Sequence, residues 1–201
     1  TVAELCNEYI ERQSRLLDDG QRSVQNFNEV LSAGKAMVAC WGRDLLVADM
    51  RPSDFQKMKD MLGRTIGPVT LKNRIGRIKS FFRFGVKQGL IPALPPFGVE
   101  FDPPTAKEVR LARADRGPKY FQPAEVRAMI DGANPTLLAM IMLGINAGFN
   151  ERDCSLLTTD YIDLDGGWIS YRREKTGEQR KAKLWPETVA AIKAVLAKEG
   201  D

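Results

Sequence analysis

Apolar residues in the first ninety positions recur at helical intervals, punctuated by Gly and Pro. Over residues 2–19, Val2, Leu5, Tyr9 and Leu16 fall near one face with charges opposite, which predicts a helix stopped by Gly20. A second helix is expected from about Ser23 to Cys40 on Val24, Phe27, Val30, Leu31, Met37 and Val38, with Gly34 as a weak point in its middle. Trp41 to Arg51 reads as a connector. Pro52 and Ser53 then open a short helix, Asp54 to Leu62, with an acid near its positive end. Gly67-Pro68 precedes a long helix over about Val69 to Lys87. There Leu71, Ile75, Ile78, Phe82 and Val86 recur at steps of three and four, the period of a core-facing stripe.

The pattern fades over residues 92–118. Pro92, Pro95, Pro96, Pro103, Pro104 and Pro118 bracket a stretch that reads as a partly extended linker. It restarts at Gln122-Pro123-Ala124-Glu125, a helix start running to about Asp131. Pro135 opens a strongly apolar helix, Leu137 to Ile145, expected to be buried on most sides, and Gly148 breaks it. Asn150 is placed to cap a further helix through Leu157. Tyr161-Ile162-Asp163-Leu164 and Trp168-Ile169-Ser170-Tyr171, joined by Asp165-Gly166-Gly167, form a hairpin signal. A further strand is expected around Lys181 to Leu184, and Pro186 starts a last helix, Glu187 to Leu196.

The predicted class is mainly α. It comprises a bundle of four to five helices over residues 1–92, a Pro-rich linker over 93–117, and over 118–201 a partial α+β domain with a small hairpin or three-stranded sheet. Some 80 residues after the linker is small for a separate core, so a longer native chain is expected. The 43% hydrophobic and 28% charged composition is that of a globular protein. No apolar run reaches the length of a membrane span, and no signal peptide is evident at Thr1-Val2-Ala3-Glu4.

Cys6, Cys40 and Cys154 lack metal-ligand spacing and read as reduced, mostly buried thiols in a cytoplasmic protein. Histidine is absent, which excludes Ser–His triads and His metal sites within the chain. Neither a metal nor a cofactor is expected.

Charge changes the picture more than composition does. The net charge is only +4, yet from Met61 to Val99 there is no Asp or Glu, while Arg64, Lys72, Arg74, Arg77, Lys79, Arg83 and Lys87 all fall there. At 100° per residue, Lys72, Lys79, Arg83 and Lys87 share a sector of about 80° beside the apolar stripe. Gly76 and Ser80 lie among them and are small enough to admit a phosphate backbone. Asn73 and Arg77 flank the sector with donors suited to base edges. An ordinary solvated face mixes signs, because opposite charges one turn apart support each other. An acid-free one suits a polyanion. A second basic cluster, Arg172, Arg173, Lys175, Arg180, Lys181 and Lys183, surrounds the predicted hairpin, where an exposed turn is the competing reading.

Two segments resemble the tyrosine recombinase (phage integrase) family. Gly42-Arg43-Asp44-Leu45-Leu46-Val47-Ala48-Asp49-Met50-Arg51-Pro52-Ser53-Asp54, followed by the stretch from Arg77 to Ile91, is similar to that family's helical core-binding domain. Phe121 to Val126, Gly144 to Phe149, Leu156-Leu157, Tyr161 to Leu164, Arg173-Glu174-Lys175-Thr176-Gly177 and Leu184-Trp185-Pro186-Glu187 resemble, in order, the opening half of its catalytic domain.

The resemblance implies a double-stranded DNA partner, with self-assembly on DNA. It agrees with the DNA contacts that the two basic segments suggest, from Lys72, Asn73, Arg77, Lys79, Arg83, Lys87, Arg173, Arg180 and Lys181. The family forms a covalent phosphotyrosyl link without metal or nucleotide. Lys175 matches its hairpin lysine, the general acid. Asn150 stands where the family's first catalytic Arg belongs, and a neutral amide cannot make a charged bidentate pair with phosphate. Arg152 would substitute only through an irregular turn. The family's second Arg, its His residues and its nucleophilic Tyr would lie past residue 201. Three readings stay open: a DNA-binding fragment of a recombinase, a non-cutting DNA-binding regulator or architectural protein on the same scaffold, and a helical protein-interaction module.

Overall fold

A computed structural model of the chain describes residues 1–117, 119–173 and 177–199, with residues 198 and 199 described by their backbone alone. The chain divides into two compact units, Thr1–Pro118 and Lys119–Asp201, each with its own apolar core.

In the first unit α1 (Val2–Asp18) begins at a capping box in which Thr1 and Glu4 exchange hydrogen bonds. Two more first-turn amides, those of Val2 and Ala3, donate to the carbonyls of Leu45 and Arg43 at 2.9 and 3.0 Å, so the connector satisfies groups that a helix start leaves orphaned. α2 (Val24–Trp41) is capped by Ser23. Gly34 does not weaken it: a Cβ there would sit 2.9 Å from Ile10 Cδ1, so the missing side chain lets α1 and α2 pack closely. The connector holds a short 3₁₀ turn, Val47–Asp49, with Val47 and Met50 buried.

α3 (Pro52–Gly63) and α4 (Pro68–Lys87) complete the bundle. α4 buries Leu71, Ile75, Ile78, Phe81, Phe82 and Gly85, the stripe its periodicity predicts. Phe55, Phe82, Phe97 and Phe101 meet in an aromatic cluster with ring centres 4.9–6.2 Å apart. Trp41 joins it edge-on and donates its indole N–H to the Asp54 carbonyl at 2.9 Å.

Residues 93–117, read from their prolines as a linker, differ from that expectation. Phe101 is fully buried in the core of the first unit, and Thr105 caps a further helix, α5 (Ala106–Ala114), which packs on α4 and buries Val109. Glu108 closes the α5 cap, and the Thr105 hydroxyl and amide that bond it hold its carboxyl below the usual range. The prolines end one element and begin another; they do not mark a loose tether.

The second unit starts with α6 (Pro123–Gly132) and α7 (Pro135–Ala147), the latter capped by Asn134 and ended by Gly148 in the left-handed conformation. α8 (Glu151–Ser155) is short. β1 (Ile162–Asp163), β2 (Trp168–Arg172) and β3 (Gln179–Lys183) form an antiparallel sheet in that order, and α9 (Pro186–Glu199) follows. Ala139, Met142, Leu143, Phe149, Ile169, Tyr171, Leu184, Ala191 and Ile192 make the core. α7 is less enclosed than its composition suggests. Leu137 and Ile145 are each 47% exposed, because α9 and β3 pack on only part of its surface.

Asn146 ties these pieces together. Its amide donates to the Lys183 carbonyl at 3.0 Å, and its oxygen accepts from the Trp185 N–H at 2.7 Å and from the buried Thr188 hydroxyl at 3.0 Å. Among the described residues no helix is long and apolar enough to cross a membrane.

Candidate nucleic-acid interface

The core stripe of α4 fixes what its opposite side presents. Lys72, Asn73, Gly76, Arg83 and Lys87 are exposed there. From Lys72 to Lys87 the helix rises about 22 Å. A Cβ at Gly76 would meet nothing within 4 Å, so the middle of the face is open. Among the described residues no carboxylate lies within ion-pair distance of Lys72, Arg83 or Lys87.

The other cations of α4 are engaged. Arg77 pairs with Glu29 of α2, and Arg74 donates to the Ser32 hydroxyl at 2.7 Å. Lys79 leans over the Phe97 and Phe101 rings, 5.2 and 5.7 Å from their centres, and reaches Asp102 at 3.3 Å; its side chain is only 15% exposed. The expectation that Lys72, Lys79, Arg83 and Lys87 act as one set, flanked by Arg77, is therefore corrected. Helical angle groups them, but carboxylates from distant elements withdraw Lys79 and Arg77. The acid-free stretch is acid-free only along the sequence.

The sheet of the second unit presents another basic face. Pairing of Trp168 with Lys183, Ser170 with Lys181 and Arg172 with Gln179 puts these six exposed side chains on one side. Lys181 and Lys183 lie 4.9 and 5.1 Å from the centre of the Trp168 ring. Lys183 also donates to the Gly166 carbonyl at 2.6 Å. Asp163 of β1 pairs with Trp168 on the adjacent β2, and its carboxylate accepts from the Gly166 N–H at 2.7 Å. Arg180 lies on the opposite face, half-buried and across from Tyr171. Grouping Arg180 with Lys181 thus overlooked strand alternation, which also points to Trp168, Arg172 and Lys183.

At α8 the geometry explains the residue at position 150. The Asn150 side-chain oxygen accepts from the Asp153 N–H at 2.9 Å, and Asp153 returns a hydrogen bond from the Asn150 N–H at 3.3 Å. Asn150 is the helix cap, a role its short amide fills and a long guanidinium would not. Arg173 comes within 3.6 Å of the nearly buried Asp153 carboxylate, so it is paired within this unit. α8 begins regularly at Glu151, and the irregular turn that would bring Arg152 to the place of residue 150 is not there. Lys175 lies outside the described residues.

No protein-family model matches the chain, and no curated protein matches it. Among solved structures it is similar to the Tn1549 transposon integrase in complex with transposon right-end DNA. The TM-score is 0.68 at 15% identity, over 98% of this chain and 65% of that one. It is likewise similar to the same integrase in complex with circular intermediate DNA, with a TM-score of 0.67 at 16% identity, over 98% of this chain and 64% of that one. The chain thus spans a little under two thirds of the integrase chains it matches. At this identity the likeness establishes a shared fold, which agrees with the fold implied by the sequence resemblance.

Proposed function

We propose that this chain binds double-stranded DNA, as part of a site-specific recombinase or integrase that acts in DNA integration and recombination. The observation that carries the reading is the exposed side of α4, where Lys72, Arg83 and Lys87 stand without carboxylate partners among the described residues. Cations left unpaired in this way can neutralise phosphates and release condensed counterions. Gly76 lets a sugar–phosphate backbone approach the helix, and Asn73 offers an amide beside it. The outer face of the sheet adds Arg172, Lys181 and Lys183. That the similar integrase was solved with DNA supports the same partner. Self-assembly on DNA belongs to this reading, as does a cytoplasmic location.

The test is duplex binding by the full chain as a function of salt. Binding at low salt that weakens steeply between about 50 and 200 mM salt is expected. Absence of binding at low salt removes the proposal and leaves the protein-interaction reading.

A second reading, a DNA-binding protein on the recombinase scaffold that does not cut, is favoured by the capping role of Asn150. A suicide duplex that traps covalent protein–DNA adducts, used with the intact protein and not with this chain alone, separates the two. A trapped adduct supports strand exchange; binding without any adduct supports the non-cutting form.

A further inference from the structure

Gln13 lies on the core-facing side of α1 and is 3% exposed, as buried as the apolar residues around it. Buried amides are normally hydrogen-bonded, and one that is not needs an explanation. Among the described residues no protein group bonds to its side chain, whose polar atoms keep access to solvent through the cleft they line. The amide instead lines an open cleft of about 190 Å³ between α1, the turn after it, α2 and α4, which Tyr9, Arg22, Asn26, Arg77 and Ser80 also line.

The lining is rich in donors, although Gln13, Asn26, Tyr9 and Ser80 can also accept and the Glu29 carboxylate pairs with Arg77 at its edge. Gln13, Asn26, Tyr9, Arg22 and Arg77 all carry N–H or O–H donors, and no carboxylate is among the lining residues. Arg77 is held in place by Glu29. The Asn26 amide, the Tyr9 hydroxyl and the Arg22 guanidinium have no partner among the described residues. A volume near 190 Å³ is several times the roughly 30 Å³ share of one water and below the ~300 Å³ where drug-sized ligands begin.

We infer that this pocket binds a single phosphate group, with the Gln13 amide as its innermost donor and Arg22 supplying charge beside the neutralised Arg77–Glu29 pair. Ser80, one turn beyond Gly76 on α4, places the pocket beside the open cationic face. The phosphate can therefore belong to a bound backbone or to a free phosphoanion. The backbone source rests on the DNA reading above; the pocket itself does not.

Two measurements on the full chain test this. In the first, thermal unfolding is followed in inorganic phosphate and in chloride at matched pH and ionic strength. A rise in Tm specific to phosphate is expected, absent in Gln13→Leu and in Arg22→Gln. In the second, duplex binding is followed against salt for the same proteins. Capture of a backbone phosphate predicts a salt slope smaller by about 0.9, and Gln13→Leu changes no charge, so its effect reports the pocket. Arg22 is exposed, so Arg22→Gln keeps the test valid if Gln13→Leu does not fold. A response in the first measurement alone assigns the pocket to free phosphate, and one in the second assigns it to the backbone. No response in either overturns the inference. Failure of the unsubstituted chain to bind duplex sinks the DNA reading and leaves the phosphate measurement to decide the pocket.

Discussion

The Lys79 ammonium lies 3.3 Å from the Asp102 carboxylate, and this pair takes a cation of α4 away from the face its helical angle would give it. The pair spans 23 residues and is seated over two aromatic rings. A lysine so held contributes to packing of the residues after α4 more than to any polyanion. Lys79→Gln is expected to leave the salt slope of duplex binding unchanged and to cost no more than about 1 kcal/mol of stability. Arg83→Gln should lower the slope by about 0.9 without loss of stability. Salt titration and thermal melts of both variants check this; equal slope losses would show that Lys79 also faces DNA.

Gly76 separates stability from binding. It sits mid-helix on the exposed side of α4, and an added methyl would touch nothing. Gly76→Ala should therefore stabilise the first unit by about 1 kcal/mol through helix propensity alone. If a DNA backbone approaches closely there, the same change weakens duplex binding. A variant that is more stable and binds equally well would show that the backbone keeps its distance at this position.

How much of this was legible beforehand depends on the range of the interaction. The α4 stripe, the Asn150 cap and the hairpin pairing rest on neighbours close in sequence, and the sequence displays them. Arg180 and Lys181 belonged to the same class: two-residue alternation alone separates them. The engagement of Lys79 by Asp102 and of Arg77 by Glu29 was not legible, because each partner arrives through the tertiary fold. Phe101 and Val109 were hidden for another reason. The prolines around them resemble a linker, and only the buried surface shows that the segment completes a core.

Asn146 supplies a second long-range case. Replacing it with Leu leaves the Trp185 N–H and the enclosed Thr188 hydroxyl without their acceptor. A loss of about 1–3 kcal/mol, confined to the second unit, is expected. Hydrogen exchange reads it as faster exchange in α7 and α9 with α1 to α4 unchanged. Unaltered protection of α9 would show that the Asn146 bonds carry no net weight.

The thiols differ in accessibility. Burial pushes Cys6 from 9.0 up to about 12, and burial also raises Cys40 and Cys154. At pH 8 Cys6 should resist a thiol reagent until the chain unfolds. Because its folded value lies above its unfolded one, its contribution to stability is full below about pH 9 and declines as the pH rises towards 12. Cys6→Ala should flatten that decline. Rapid labelling of all three thiols in the native protein would contradict the burial of Cys6.

On the proposed function, the exposed side of α4 binds the DNA backbone through three cations. The most direct test is the salt dependence of duplex binding for the chain and for the triple variant Lys72→Gln, Arg83→Gln, Lys87→Gln, with melts to confirm folding. The triple variant should show a slope smaller by about 2.7, three phosphate contacts at ~0.9 each. A folded triple variant that keeps the original slope would contradict it.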